Sequence, residues 1–155
     1  MKPLQFLLKT NDSFAQFIAR LTLGIVMFPH GAQKALGWFG GYGFSGTMNF
    51  FTHQMHIAAP LAFLAIAAEF AGSIGLILGC LSRVAALGIG TNMVVAIATV
   101  HAPNGFFMNW YGTQKGEGFE YHLLAIGLAL IVLFYGAGKV SLDQLISRRL
   151  ETKKS

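Results

Sequence analysis

Residues 59–102 read APLAFLAIAAEFAGSIGLILGCLSRVAALGIGTNMVVAIATVHA, and this stretch decides the fold. Its only charged residues are Glu69 and Arg83. A helix that crosses the hydrocarbon core of a bilayer needs about 20 mostly apolar residues. The stretch holds two such runs, at about 59–79 and 84–102. The turn between them, around Cys80 and Ser82, is too short for anything but antiparallel neighbours. Outward from this pair lie two more runs, at about 14–36 and 119–137. The run at 119–137 is clean, whereas the run at 14–36 is interrupted by Arg20, His30 and Lys34. The whole chain of 155 residues agrees: 11% are charged, 54% are hydrophobic, Phe occurs 14 times and the mean hydropathy is +0.58. Soluble domains carry about 25% charged residues. So few charges exclude an ordinary soluble enzyme, a disordered tail and a nucleic-acid binder. The single Cys80 excludes an intramolecular disulfide and a paired-cysteine redox site.

These readings predict an all-α fold: one integral membrane domain, an antiparallel four-helix bundle. Lys2, Lys9 and Arg20 precede or open the first run, Arg83 lies in the tight turn, and Lys139, Arg148, Arg149, Lys153 and Lys154 follow the fourth. The excess of basic residues on one side places both termini, the turn and a basic tail at 139–155 in the cytoplasm, with the chain in the cell (inner) membrane. No cleaved signal peptide is expected, because Arg20 interrupts the first apolar run and no small-residue cleavage site follows it. The outer loops are long. In the first, Phe44, Met48, Phe51 and Met55 recur at helical spacing and predict a short interfacial helix. In the second, Phe106, Phe107, Trp110 and Tyr111 form either an interfacial aromatic belt or a lid over an outward-opening pocket.

Ionisable groups inside a span cost about 2.5–3.5 kcal/mol on insertion scales, so each is a candidate for a site. Glu69 is flanked by small residues that let another helix approach. It is either one half of a buried ion pair or a proton acceptor and hydrogen-bond partner for a quinone-like head group. Arg20 is its expected partner, with snorkelling to the interface as the alternative. Asn92 completes the expected cluster, and Thr99 follows it on the same face. Glu69 and Arg20 are thus the catalytic candidates. A second cluster is expected at the outer helix ends: His30 and Lys34 one turn apart, His101, Glu120 and His122, with Gln33 and Trp38 at the rim. These groups either cap helix ends or form a polar, ligand-binding pocket. His53 and His56 alone do not define a metal site, and none is expected. A haem held by His30 with His101 or His122 ranks below a quinone as ligand, and no cofactor is assigned.

The chain resembles the DoxX family of small four-helix membrane proteins. The likeness rests on Arg20, HGAQK at 30–34, GWFGGYG at 37–43, EFAG at 69–72, Gly79, Arg83, His101 and Ala102, GFF at 105–107, EYH at 120–122 and GAGKVSLD at 136–143. It implies a subunit or partner of a membrane oxidoreductase, quinone-linked and concerned with thiosulfate, thiols or oxidative stress. The resemblance carries no agreed catalytic residues. No intrinsic redox centre is recognisable in the chain, so enzyme activity of its own stays open. The alternative is a non-enzymatic membrane protein: an assembly factor, lipid binder or small-solute transporter. A third option is an adaptor using its basic tail. Expected partners are membrane lipids and an oxidoreductase subunit; a homo-oligomer stays open, and nucleic acid is not a partner.

Overall fold

The computed structural model describes residues 3–152. Lys2, Lys153 and Lys154, three of the charges expected in the cytoplasm, lie outside the described residues. Among the described residues all regular structure is helical. A short α1 (Pro3–Leu8) precedes α2 (Phe14–Leu36). Then α3 (Gly43–Asn49) continues into a wide turn at Phe50–Gln54, followed by α4 (Ala59–Leu78). Helix α5 (Ser82–Ala96) runs on through a wide turn, Ile97–His101, and a tight one, Ala102–Asn104. The last two helices are α6 (Glu120–Tyr135) and α7 (Leu142–Thr152). The helix expected in the first outer loop is α3 with its wide turn, and residues 142–152 of the expected basic tail fold as α7.

Local chemistry sets the ends. Gly37 and Gly79 close α2 and α4 in the left-handed conformation (φ 75° and 68°), which glycine adopts without a Cβ penalty. Pro60 sits in the first turn of α4, where its missing N–H is no loss.

Helix α2 packs on α4, α4 on α5, α5 on α6 and α6 back on α2. All four pairings are antiparallel. Gly24 lies against Leu76 and Ile77 while Gly31 lies against Glu69 and Phe70, so α2 climbs as α4 descends. Gly88 meets Ala68 across the α4–α5 seam, and Gly90 meets Ala129 across the α5–α6 seam. The shared core is Leu23, Met27, Leu76, Ile89, Met93 and Val132, with alanines between them.

Two segments, Ala59–Leu78 and Ser82–Asn104, are long and apolar enough to cross a membrane. Of the four expected spans, the other two fall short of that measure for different reasons. Helix α2 has the length but carries Arg20, His30 and Lys34, and α6 is apolar but has 16 residues. The polarity of the molecule is inverted relative to a protein in water. Arg20 and Asp143 are 0% and 1% exposed, whereas Leu124 and Phe134 on α6 are 72% and 67% exposed. Ile18, Ile25, Leu64 and Leu87 also face outward. Monomers in water rarely leave so much contiguous apolar surface.

Candidate functional site

The α2–α4 register builds the first part of the site. A Cβ on Gly31 would lie 2.6 Å from the Phe70 Cα, so only glycine allows this approach of the two backbones. Glu69 is thereby held beside α2. Lys34, one turn beyond Gly31, reaches back to it, and its ammonium donates to Glu69 Oε2 in a tight ion pair. From α5, Asn92 Nδ2 donates to Glu69 Oε1 at 3.4 Å and to the Ala65 carbonyl at 2.7 Å. The Thr47 hydroxyl of α3 donates to the Lys34 carbonyl at 3.2 Å, fastening the α2–α4 connection to this end. A buried carboxylate is tolerated when an opposite charge and hydrogen bonds satisfy it, as here.

Four rings follow one another from α2 across α6 to the extension of α5. His30 lies 6.1 Å from Tyr121, ring centre to ring centre, and Tyr121 lies edge-on to His122 at 5.4 Å. The His122 ring is 4.0 Å from that of His101. The wide turn Ile97–His101 aims His101 at α6; such turns interrupt the helical register and recur at functional sites. His101 Nδ1 donates to the Glu117 carbonyl at 2.8 Å, so its proton sits on that nitrogen. The Tyr121 hydroxyl donates to Met27 Sδ at 3.3 Å. His122 is buried, and its Nδ1 has no hydrogen-bond partner.

The structure thus brings Lys34 of one expected cluster to Glu69 and Asn92 of the other, while His30, His122 and His101 are linked through Tyr121 in a series of ring contacts. It corrects the expected pairing of Arg20 with Glu69. Arg20 lies at the opposite end, eleven residues from Gly31, which is about 16 Å along the helix. Its guanidinium donates instead to the carbonyls of Leu76, Ile77 (2.9 Å), Ala137 (3.0 Å) and Val140 (3.0 Å). The last turn of a helix leaves carbonyls without partners, and a cation there also meets the negative end of the helix dipole. Arg20 therefore closes α4 rather than taking part in the site.

Two further expectations are corrected. Glu120 faces the connection between α5 and α6: it accepts from the Met108 N–H (2.9 Å) and from Trp110 Nε1 (3.1 Å). Trp38 packs edge-on to Phe28 at 6.5 Å and Phe39 at 6.4 Å, not against the polar groups. Thr99 donates to the Val95 carbonyl of its own helix, and Gln33 secures the glycine turn through the Phe39 carbonyl. Phe106, Phe107, Trp110 and Tyr111 are all exposed. His53 is exposed and bonded to Thr52 and Asn49.

Sequence reasoning passed over Arg83, Asp143 and Tyr121 as interacting groups. Arg83 repeats at α6 what Arg20 does at α4, donating to the Leu133 and Phe134 carbonyls and to the Lys9 carbonyl. Asp143 accepts from the N–H groups of Leu81 (2.8 Å) and Ser82 (2.9 Å), capping α5. A signal was present for Arg83: a cation in the first turn of a helix opposes the helix dipole, so it needs a partner elsewhere.

Geometry and polarity together define a class: an all-helical membrane protein with an ion pair and histidines gathered at one end of apolar helices. The chain belongs to the DoxX family, whose model matches residues 15–102. An uncharacterized protein of Haemophilus influenzae (strain ATCC 51907 / DSM 11121 / KW20 / Rd) is 35% identical over 78 residues, covering 50% of this chain. The match spans 48% of that relative's length, so the chain covers about half of the curated relative it resembles. No solved structure matches.

Proposed function

We propose that this protein is a four-helix bundle of the cell membrane, with α2 and α6 crossing alongside α4 and α5 and both termini in the cytoplasm. In that setting it serves as a subunit or partner of a quinone-linked oxidoreductase system. It holds a quinone-like or lipid-like head group at the outer end of the bundle. The observation that carries this reading is the gathering of Lys34, Glu69, Asn92, His30, Tyr121, His101 and His122 at one end of helices whose outward faces are apolar. Ionisable groups at membrane depth face the bundle interior and mark ligand or proton paths. Helix α6 rises about 24 Å, short of the hydrocarbon core of about 30 Å. Local thinning of the bilayer accommodates such a span. Glu69 and Lys34 supply a charge pair that a carbonyl head group can join, and the histidine ring nitrogens offer hydrogen-bond donors and acceptors.

The test is to purify the protein in mild detergent and identify bound small molecules by mass spectrometry. The expected result is a quinone retained in near-stoichiometric amount by the wild type and depleted in Glu69→Gln. Recovery of no quinone, with phospholipid retained equally by the wild type and Glu69→Gln, would sink the reading.

A further inference from the structure

We infer that the seam between α5 and α6 is the tail site for a single-chain amphiphile whose flat head group sits at the His101–His122 pair. This rests on the head-group reading proposed above and adds to it the place and the chemical class of the rest of the ligand. A groove of about 270 Å³ runs along this seam, walled by Ala86, Gly90, Thr91 and Val94 of α5 and by Ile126 and Leu130 of α6. Thr91 brings the one hydroxyl among these walls, and it already donates to the Leu87 carbonyl at 2.8 Å. The groove therefore offers no unsatisfied polar group and suits an apolar chain. Its α5 wall from Ala86 to Val94 is about 12 Å long. Small-molecule sites range over about 300–1,000 Å³. A groove just below that range takes one chain, not the two of a phospholipid.

The imidazole pair stands at the outer end of the same seam. His122 precedes Ile126 by four residues and Leu130 by eight, which places it on the same stripe of α6. His101 lies beyond Val94 on the α5 extension, with its ring 4.0 Å from that of His122. His122 is only 6% exposed, and its Nδ1 lacks a partner. A buried polar atom left unpaired is costly, and a carbonyl- or hydroxyl-bearing head group relieves that cost. Tyr121 and the two imidazoles give a flat ring aromatic surfaces to pack on. A head group there sends its chain down the α5–α6 groove.

The experiment uses the full chain in lipid nanodiscs and three probes: a benzoquinone with a ten-carbon chain, the same quinone without a chain, and decanoate. Thr91 is exposed, so Thr91→Trp fills the groove from outside without entering the core, and Thr91→Ala leaves it open. The expected result is that Thr91→Trp weakens the chain-bearing quinone about tenfold and leaves the chainless one unchanged, while Thr91→Ala binds both as the wild type does. His122→Phe is expected to weaken both quinones alike. Unchanged binding of the chain-bearing quinone by Thr91→Trp, or equal weakening of both quinones, overturns the tail site. A wild type that binds neither quinone overturns the head-group reading instead. Decanoate then decides the groove: binding that Thr91→Trp abolishes keeps the tail site, and equal binding by both proteins removes it.

Discussion

Replacing Lys34 by Met isolates the worth of the ion pair. In the wild type, Glu69 has an 8% exposed side chain and Lys34 a 29% exposed one. The substitution leaves the carboxylate with one long hydrogen bond from Asn92 and no countercharge. Removing one partner of a buried pair costs about 3–5 kcal/mol. Because Lys34 is partly exposed, the low end applies, about 3 kcal/mol. At about 2–4 °C per kcal/mol for a chain of this size, the melting temperature should fall by about 6–12 °C. The double variant Lys34→Met/Glu69→Leu removes both charges and should recover most of that loss, since an apolar pair of similar volume replaces a buried pair at little cost. The assay is thermal unfolding in detergent, followed by circular dichroism, on the wild type, both single variants and the double. The double-mutant cycle then isolates the coupling between the two sites. A Lys34→Met protein as stable as the wild type, or a double variant no better than the worse single one, would refute the reasoning.

Three other outcomes follow from the packing. Arg20→Lys should fail to restore what Arg20→Met loses, because only the planar five-donor guanidinium reaches carbonyls on both sides; the yield of folded, monodisperse protein measures this. Asp143→Ala should cost about 2 kcal/mol by uncapping α5, with Asp143→Asn losing less, as read from melting curves. Gly31→Ala should cost about 1–3 kcal/mol by forcing α2 from α4, and should depress ligand retention as strongly as Glu69→Gln; a variant with normal melting and normal retention would show that the close approach is not needed.

The helix boundaries were legible because apolar runs and glycine stops are local features. The α2 limits match the run at 14–36, and α4 ends one residue before the expected 79. The short helix after the glycine-rich turn was legible from the spacing of Phe44, Met48, Phe51 and Met55. Glu69 with Asn92 was legible as well, since a short turn between α4 and α5 leaves little freedom in their register. The partner of Glu69 was not. Between α2 and α4 lies a long connection, and its length does not set the axial offset of the two helices. Aligning helix middles put Arg20 within reach, whereas the actual offset puts Gly31 beside Glu69 and leaves Arg20 about 16 Å away. Glu120 misled for a related reason: a carboxylate opening a helix suits the dipole whichever way it points, and here it points at the loop.

The sequence by itself determined that this is a helical membrane protein of the DoxX family, because a scarcity of charge and the length of apolar runs are one-dimensional properties that the bilayer reads directly. Tertiary structure alone decided which of the few buried charges meet. Ion pairing acts over a few ångströms, and the helix register that brings Lys34 to Glu69, Arg20 to the end of α4 and Asp143 to the start of α5 is set by close packing at Gly31, Gly24 and Gly79.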